Sequence, residues 1–197
     1  MMLIEETTVP DAALPVEEFK AHLRLGSGFG NDSVQDAVLT GFLRAAVAAI
    51  EARTNKVLIE RDFKLSVNDW QSGDAQALPV APVQVVTGLS LVDRAGVETP
   101  VDGAVFWLER DAHRSRVRAV GAALPQIPVA GHVDVTFRAG FAPVLSGAPV
   151  DLVQAVMLLA AHYYEFRHET TLSEGCMPFG VTSLIERYKV FRLGGAR

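Results

Sequence analysis

Hydrophobic positions along the chain change their period twice, and the changes divide it into helical, β and helical parts. In the first part Val16, Phe19 and Leu23 recur at helical spacing behind Pro15, with Glu17 and Glu18 in the first turn, which predicts a short helix. Gly26-Ser27-Gly28-Phe29-Gly30 breaks it. Asn31 or Asp32 can then cap a longer helix that carries Val34, Val38, Phe42, Ala45, Ala49 and Ile50 on one apolar face. Thr54-Asn55 is its expected stop, because asparagine tolerates the left-handed conformation that closes a helix.

From Val57 the period becomes two. Ile59, Arg61, Phe63, Leu65 and Val67 alternate with Leu58, Glu60, Asp62 and Lys64, the pattern of a strand. Pro79 and Pro82 demote Leu78–Val83 to an edge or an irregular lead into the Val83–Val86 run. Leu89–Asp93 and Val97–Val101 flank Arg94-Ala95-Gly96, which predicts a hairpin. Val105–Leu108, Arg116–Val120 and His132–Arg138 read as further short strands. Beyond Gly140 and Pro149, helical spacing returns in a strongly apolar helix running to about Arg167, with Asp151 in its first turn. A loop around Glu174–Pro178 and a shorter helix over Val181–Tyr188 follow.

The order helix, helix, strands, helix, helix lacks the strand–helix alternation of a parallel sheet. It predicts an α+β fold, a helical core of two N-terminal and two C-terminal helices with a small antiparallel β module inserted between them. The expected divisions are an N-terminal helical part at 1–56, the β module at 57–141, a C-terminal helical part at 142–189 that packs on the N-terminal helices, and a tail at 190–197.

Composition narrows the class. Hydrophobic residues at 49% and charged residues at 21% are ordinary globular usage, which argues against disorder and against a fibrous repeat. A formal net charge of -5 provides no general attraction to nucleic acid. The one cysteine, Cys176, cannot pair within the chain and suits a reducing cytoplasm. The start Met1–Glu6 has neither a basic region nor an apolar core, so no signal peptide is expected. The apolar run Val150–Ala161 is shorter than the roughly 20 residues that span a bilayer, so no membrane partner is expected.

No catalytic constellation stands out. Gly26–Gly30 follows a helix and lacks the lysine of a phosphate-binding loop, so an interhelical turn is the better reading. His162, Glu165 and His168, with Cys176 nearby, are metal-ligating types that could serve a metal-dependent hydrolase, yet they match no ligand-spacing pattern. No Gly-x-Ser-x-Gly elbow occurs. The expectation is therefore no catalytic residue, no metal and no cofactor, with a monomeric ligand-binding module as a further alternative.

Two features suit contact with a partner. Arg110, His113, Arg114, Arg116 and Arg118 are the densest basic cluster, diluted by Glu109 and Asp111, and read as a solvated strand face or an interface. Arg187, Tyr188, Lys189, Val190, Phe191, Arg192, Leu193 and Arg197 interleave basic with aromatic and aliphatic residues, the composition of interface anchors. Arg114, Arg116, Arg118 and Tyr188 are the candidate interface residues.

The chain resembles the phage head-tail connector, or adaptor, proteins, a family that includes those of gene transfer agents. The resemblance rests on Val16–Arg24, Ala48–Ile59, Leu78–Val83, Val133–Phe141 and Ala155–Arg167 in this order, completed by Pro178-Phe179-Gly180-Val181 leading to Leu184, Tyr188 and Arg192. Gly26–Gly30 departs from the acidic loop of the family. The resemblance implies a structural ring subunit, usually in about twelve copies, with closed heterologous contacts between neighbours. It places the ring at the head-tail junction of the virion, docked beneath the portal protein and joined to a stopper or tail protein. DNA would pass through its channel without specific binding. By the same likeness Val190, Phe191, Arg192, Leu193 and Arg197 would bind the portal.

Overall fold

Residues 1–24, 33–167 and 177–189 are described in the computed structural model, Ser33 and Val34 by their backbone alone. The expected caps Asn31 and Asp32, the glycine loop Gly26–Gly30, the loop residues 174–176 and the tail 190–197 lie outside them. In chain order the elements are β1 (Met2–Glu5), α1 (Val16–His22), α2 (Ser33–Thr54), β2 (Arg61–Val67), β3 (Ala75–Ala77), β4 (Val83–Val92) and β5 (Glu98–Pro100), then β6 (Phe106–Glu109), β7 (Arg116–Ala119), β8 (His132–Ala139), α3 (Val150–Glu165) and α4 (Phe179–Ile185). The fold is α+β. Two compact units form, one joining Met1–Val9 to Ile59–Phe141, the other joining Pro10–Leu58 to the chain from Ala142 onward.

The first unit is built on a five-stranded antiparallel sheet in the order β1-β2-β8-β4-β5. Its core follows from the period-two pattern. Arg61, Phe63, Leu65 and Val67 of β2 are buried while Asp62, Lys64 and Ser66 remain partly wet. Val133, Val135 and Phe137 of β8 face Val67, Leu65 and Phe63 in register. The Phe63 and Phe137 rings stack across the strands, centroids 5.6 Å apart at 17°. The buried Arg61 side chain is held by Glu5, whose carboxylate lies 2.7 Å from Nε, and so ties β1 to β2.

The structure departs from the sequence expectation in two places here. The runs Val83–Val86 and Leu89–Asp93 are one continuous strand, β4, whose register against β8 slips between Val83 and Val85 and again between Val86 and Gly88. These irregularities interrupt the alternation and make one strand read as two. The N-terminal residues, which carried no strand expectation, form β1 on the outer side of β2. The hairpin at Arg94-Ala95-Gly96 is present: Asp93 Oδ1 accepts from the N–H groups of Ala95 and Val97, and Gly96 supplies the positive φ of 80°. A second, three-stranded sheet has the order β3-β7-β6.

The second unit is helical. α3 packs against both α2 and α4, and α1 packs on α2. Phe19, Leu39, Leu43, Ile50, Leu145, Leu152, Val181 and Ile185 are all fully buried in it. α2 ends where expected: Thr54 Oγ1 donates to the Ile50 carbonyl at 2.8 Å, Asn55 takes φ 54°, and the Leu58 N–H donates to the Glu51 carboxylate at 2.7 Å. The buried face of α2, however, is Leu39, Leu43, Ala46, Val47 and Ile50. Of the face expected from the sequence, among the residues whose side chains are described, Ile50 alone is fully buried, while Phe42 and Ala49 are half-buried and Val38 and Ala45 are exposed. The correction has a physical cause. α2 carries two apolar stripes, and packing against α1 and α3 selects one of them.

Candidate docking surfaces

The basic cluster lies on β7 and the turn that joins β6 to it. Asp111 organises that turn, accepting from the His113 N–H at 2.7 Å and the Arg114 N–H at 2.6 Å. Arg114 is thereby exposed at the tip, and Arg116 sits across from Glu109 in the ladder. Arg118 Nε donates to Glu109 at 2.8 Å and its terminal nitrogen to Asp74 at 2.8 Å. Glu109 and then Asp74 hold its guanidinium more firmly protonated than usual. In return the Ser72 hydroxyl, the Asp74 backbone N–H and Arg118 hold the Asp74 carboxyl below the ordinary carboxylate range. Arg110 donates to the Gln84 carbonyl at 2.9 Å. The three-residue interface set is thus brought onto one hairpin, with Arg118 already engaged by two carboxylates rather than free to meet phosphate.

Sequence reading passed over the apolar residues of the same hairpin. Trp107 stands opposite Arg118 in the ladder and is half-exposed. Val105 and Val120, also exposed, face each other at its end through a 2.9 Å backbone hydrogen bond.

Tyr188, the fourth candidate, lies in the helical unit. Its phenol donates to Asp151 Oδ1 at 2.7 Å, and Arg187 spans both residues, 2.5 Å from the phenol oxygen and 2.6 Å from Asp151 Oδ2. The guanidinium also lies over the Tyr188 ring, 4.8 Å from its centroid. Burial and then the Asp151 carboxylate push the phenol pKa up. This triad fixes the segment immediately before Lys189 against the first turn of α3. The candidate portal-binding residues Val190, Phe191, Arg192, Leu193 and Arg197 lie outside the described residues.

Two of the residues weighed as metal ligands, His162 and Glu165, are among the described residues. His162 and Glu165 share the last turns of α3, and the His162 ring lies 4.6 Å from that of Phe166. Its Nε2 meets no partner among the described residues. No group of three His, Cys, Asp or Glu among the described residues could hold a metal ion. His168 and Cys176 lie outside them. No helix among the described residues is long and apolar enough to cross a membrane.

A further surface feature is the outer stripe of α2. Val38, Gly41, Ala45, Ala48 and Ala52 recur at alternating three- and four-residue steps and are all exposed. Beside them Phe42 meets Tyr164 edge-to-face, centroids 6.1 Å apart.

Solved structures match the chain over its whole length. A chain from the neck of an empty GTA particle, computed with C6 symmetry, is 55% identical at a TM-score of 0.91, with 100% of both chains covered. A chain from the virion of a native gene transfer agent particle is 54% identical at 0.88, covering 100% of this chain and 99% of that one. A third, from the neck of a native GTA particle computed with C12 symmetry, is 52% identical at 0.86, again over 100% of both. No family model and no curated protein matches the chain.

Proposed function

Because the chain belongs to the family of head-tail connector proteins of gene transfer agent particles, we propose that it is the adaptor subunit of the particle neck. It forms a closed ring, of twelve copies by analogy with the C12 neck, that sits beneath the portal and joins the head to the stopper or tail. The carrying observation is the 55% identity, over the full length of both chains, to a chain from a neck with cyclic symmetry. The TM-score of 0.91 at that identity shows that the fold is kept, and cyclic symmetry repeats one chain around an axis. A net charge of -5 supports a role around DNA without gripping it, since phosphate affinity grows with the cations that meet it.

The role asks for shape and contact, with no bond made or broken, and the chain acts in it as a structural part. In this reading Val190, Phe191, Arg192, Leu193 and Arg197 dock on the portal, and the Asp151–Arg187–Tyr188 triad sets the point from which they leave the helical unit. Arg114 and Arg116 at the β6–β7 hairpin face a further neighbour in the neck. The test is to delete Arg192–Arg197 and measure how many portal-bearing heads retain the chain. Loss of attachment with a normally folded chain is the expected result; unchanged attachment overturns the assignment of the tail.

A further inference from the structure

β6 is an outer strand of the three-stranded sheet, and the hydrogen bonds of its hairpin fix which way its backbone faces. The Val120 N–H donates to the Val105 carbonyl directly opposite at 2.9 Å, and on the far side of β7 the Ala119 N–H donates to the Asp74 carbonyl. Antiparallel ladders bond every second pair. Trp107 and Glu109 therefore pair through their backbones with Arg118 and Arg116, while Phe106 and Leu108 turn their N–H and C=O groups away from β7. These groups meet no partner among the described residues, and a backbone group without a protein partner is left to water. Sheet edges of this kind are usually guarded. On the opposite edge of the same sheet the Ala77 N–H donates to the Gln71 side chain, and the Ala77 carbonyl accepts from the Gln76 amide. Along β6 the described residues supply no such guard before Arg110, whose guanidinium donates to the Gln84 carbonyl.

The chemistry around this edge selects what adds to it. Trp107, 48% exposed, and Val105, 40% exposed, share the wet face of the strand. Toward the tip Glu109 is already engaged by Arg118, and the guanidinium groups of Arg114 and Arg116 meet no carboxylate among the described residues. The edge thus offers alternating donors and acceptors, an apolar step and then uncompensated positive charge. A peptide strand matches the alternation, because it carries both N–H and C=O groups. A phosphate backbone carries acceptors only and would leave the Phe106 and Leu108 carbonyls facing oxygen. Charge then selects among peptides: residues 190–197 of a second copy contain Arg192 and Arg197 and no acid, so they do not fit, whereas an acidic segment does. We propose that β6 receives an extended acidic segment of a different protein, which joins the sheet as a strand, lays an apolar side chain on Trp107 and turns carboxylates toward Arg114 and Arg116. The proposal names the chemistry of the neighbour that the neck reading sets at this hairpin, and it rests on that reading.

The experiment uses the purified full chain and a fluorescent peptide that alternates valine with glutamate. Anisotropy is expected to show binding at least about tenfold tighter than that of the matching valine–lysine peptide. Arg114→Glu is expected to weaken it by at least about tenfold while thermal unfolding stays unchanged, since the turn engages only the backbone of that residue. Trp107→Thr, on the exposed face, is expected to weaken it as well. Amide hydrogen exchange reads the mode of binding: the glutamate peptide is expected to slow exchange at Phe106 and Leu108. Absence of binding at about 1 mM peptide, equal affinity for the two peptides, or binding that leaves those two amides unchanged overturns the proposal. Tighter binding of a duplex oligonucleotide, lost in Arg114→Glu, overturns it in favour of a nucleic-acid contact. Each of these results leaves the neck reading standing. Absence of the chain from purified necks overturns that reading, and the setting of this contact with it.

Discussion

Tyr188 donates a 2.7 Å hydrogen bond to Asp151 across 37 residues of chain, at a point where Arg187 reaches both. The bond holds the end of the described C-terminal region to the start of α3. Tyr188→Phe keeps the ring under the guanidinium and deletes only the hydroxyl, so the loss is expected to be about 1 kcal/mol, the worth of a partly exposed hydrogen bond to a carboxylate. Urea denaturation of the purified chain reads it. The same variant is expected to attach less well to portal-bearing heads if the triad orients the tail. Unchanged stability would mean that the phenol is satisfied as well by water.

Phe137 is fully buried and stacks on Phe63 in the middle of the five-stranded sheet. Phe137→Ala removes the ring and leaves a cavity beside Phe63 on the buried face of the sheet. The expected cost is about 3–5 kcal/mol, measured by chemical denaturation, with Phe137→Leu losing markedly less because it refills much of the volume.

Gly140 takes φ 142°, and a Cβ there would lie 2.4 Å from Glu60 Cα. No side chain can relieve a clash with backbone. Gly140→Ala is expected to destabilise the chain by at least about 2 kcal/mol, more than the change costs in an unhindered turn. A shift in the thermal midpoint checks it.

Lys20 Nζ lies 2.6 Å from Asp36 and 2.8 Å from Glu17, tying α1 to α2. Asp36 first, then Glu17, raise its pKa above the ordinary 10.5. A folded-state pKa above the unfolded value means that the ammonium contributes stability fully below the unfolded pKa, and that the contribution is lost as pH rises through the folded one. The difference in urea midpoint between the unaltered chain and Lys20→Met is therefore expected to hold constant below the ordinary lysine pKa of 10.5 and to shrink as pH rises above it. Comparing the two proteins cancels the other groups that titrate there, Tyr188 among them. A constant difference would contradict the role given to the charge.

Local chemistry was readable along the chain, and distant choices were not. Asn55 at the stop of α2 and Asp93–Gly96 at the hairpin act through residues within a few positions, so their sequence signatures carry over directly into φ angles and hydrogen bonds. β1 is only four residues long and has no alternation to display; its partner β2 begins 56 positions after Glu5. α2 has apolar stripes at Val38, Phe42, Ala45 and at Leu39, Leu43, Ala46, and periodicity cannot say which one α1 and α3 will cover. The same limit holds for the docking residues. The density of arginine at 110–118 is visible in sequence, but the carboxylate of Asp74 that engages Arg118 comes from 44 residues away.

The central claim is that this chain forms a ring in the particle neck. A cryo-EM reconstruction of the neck, made from particles that carry this chain, tests it most directly. The account predicts a closed ring of copies between the portal and the stopper or tail, with residues 190–197 against the portal. A neck whose density at that level belongs to another protein, or in which this chain is absent, would contradict it.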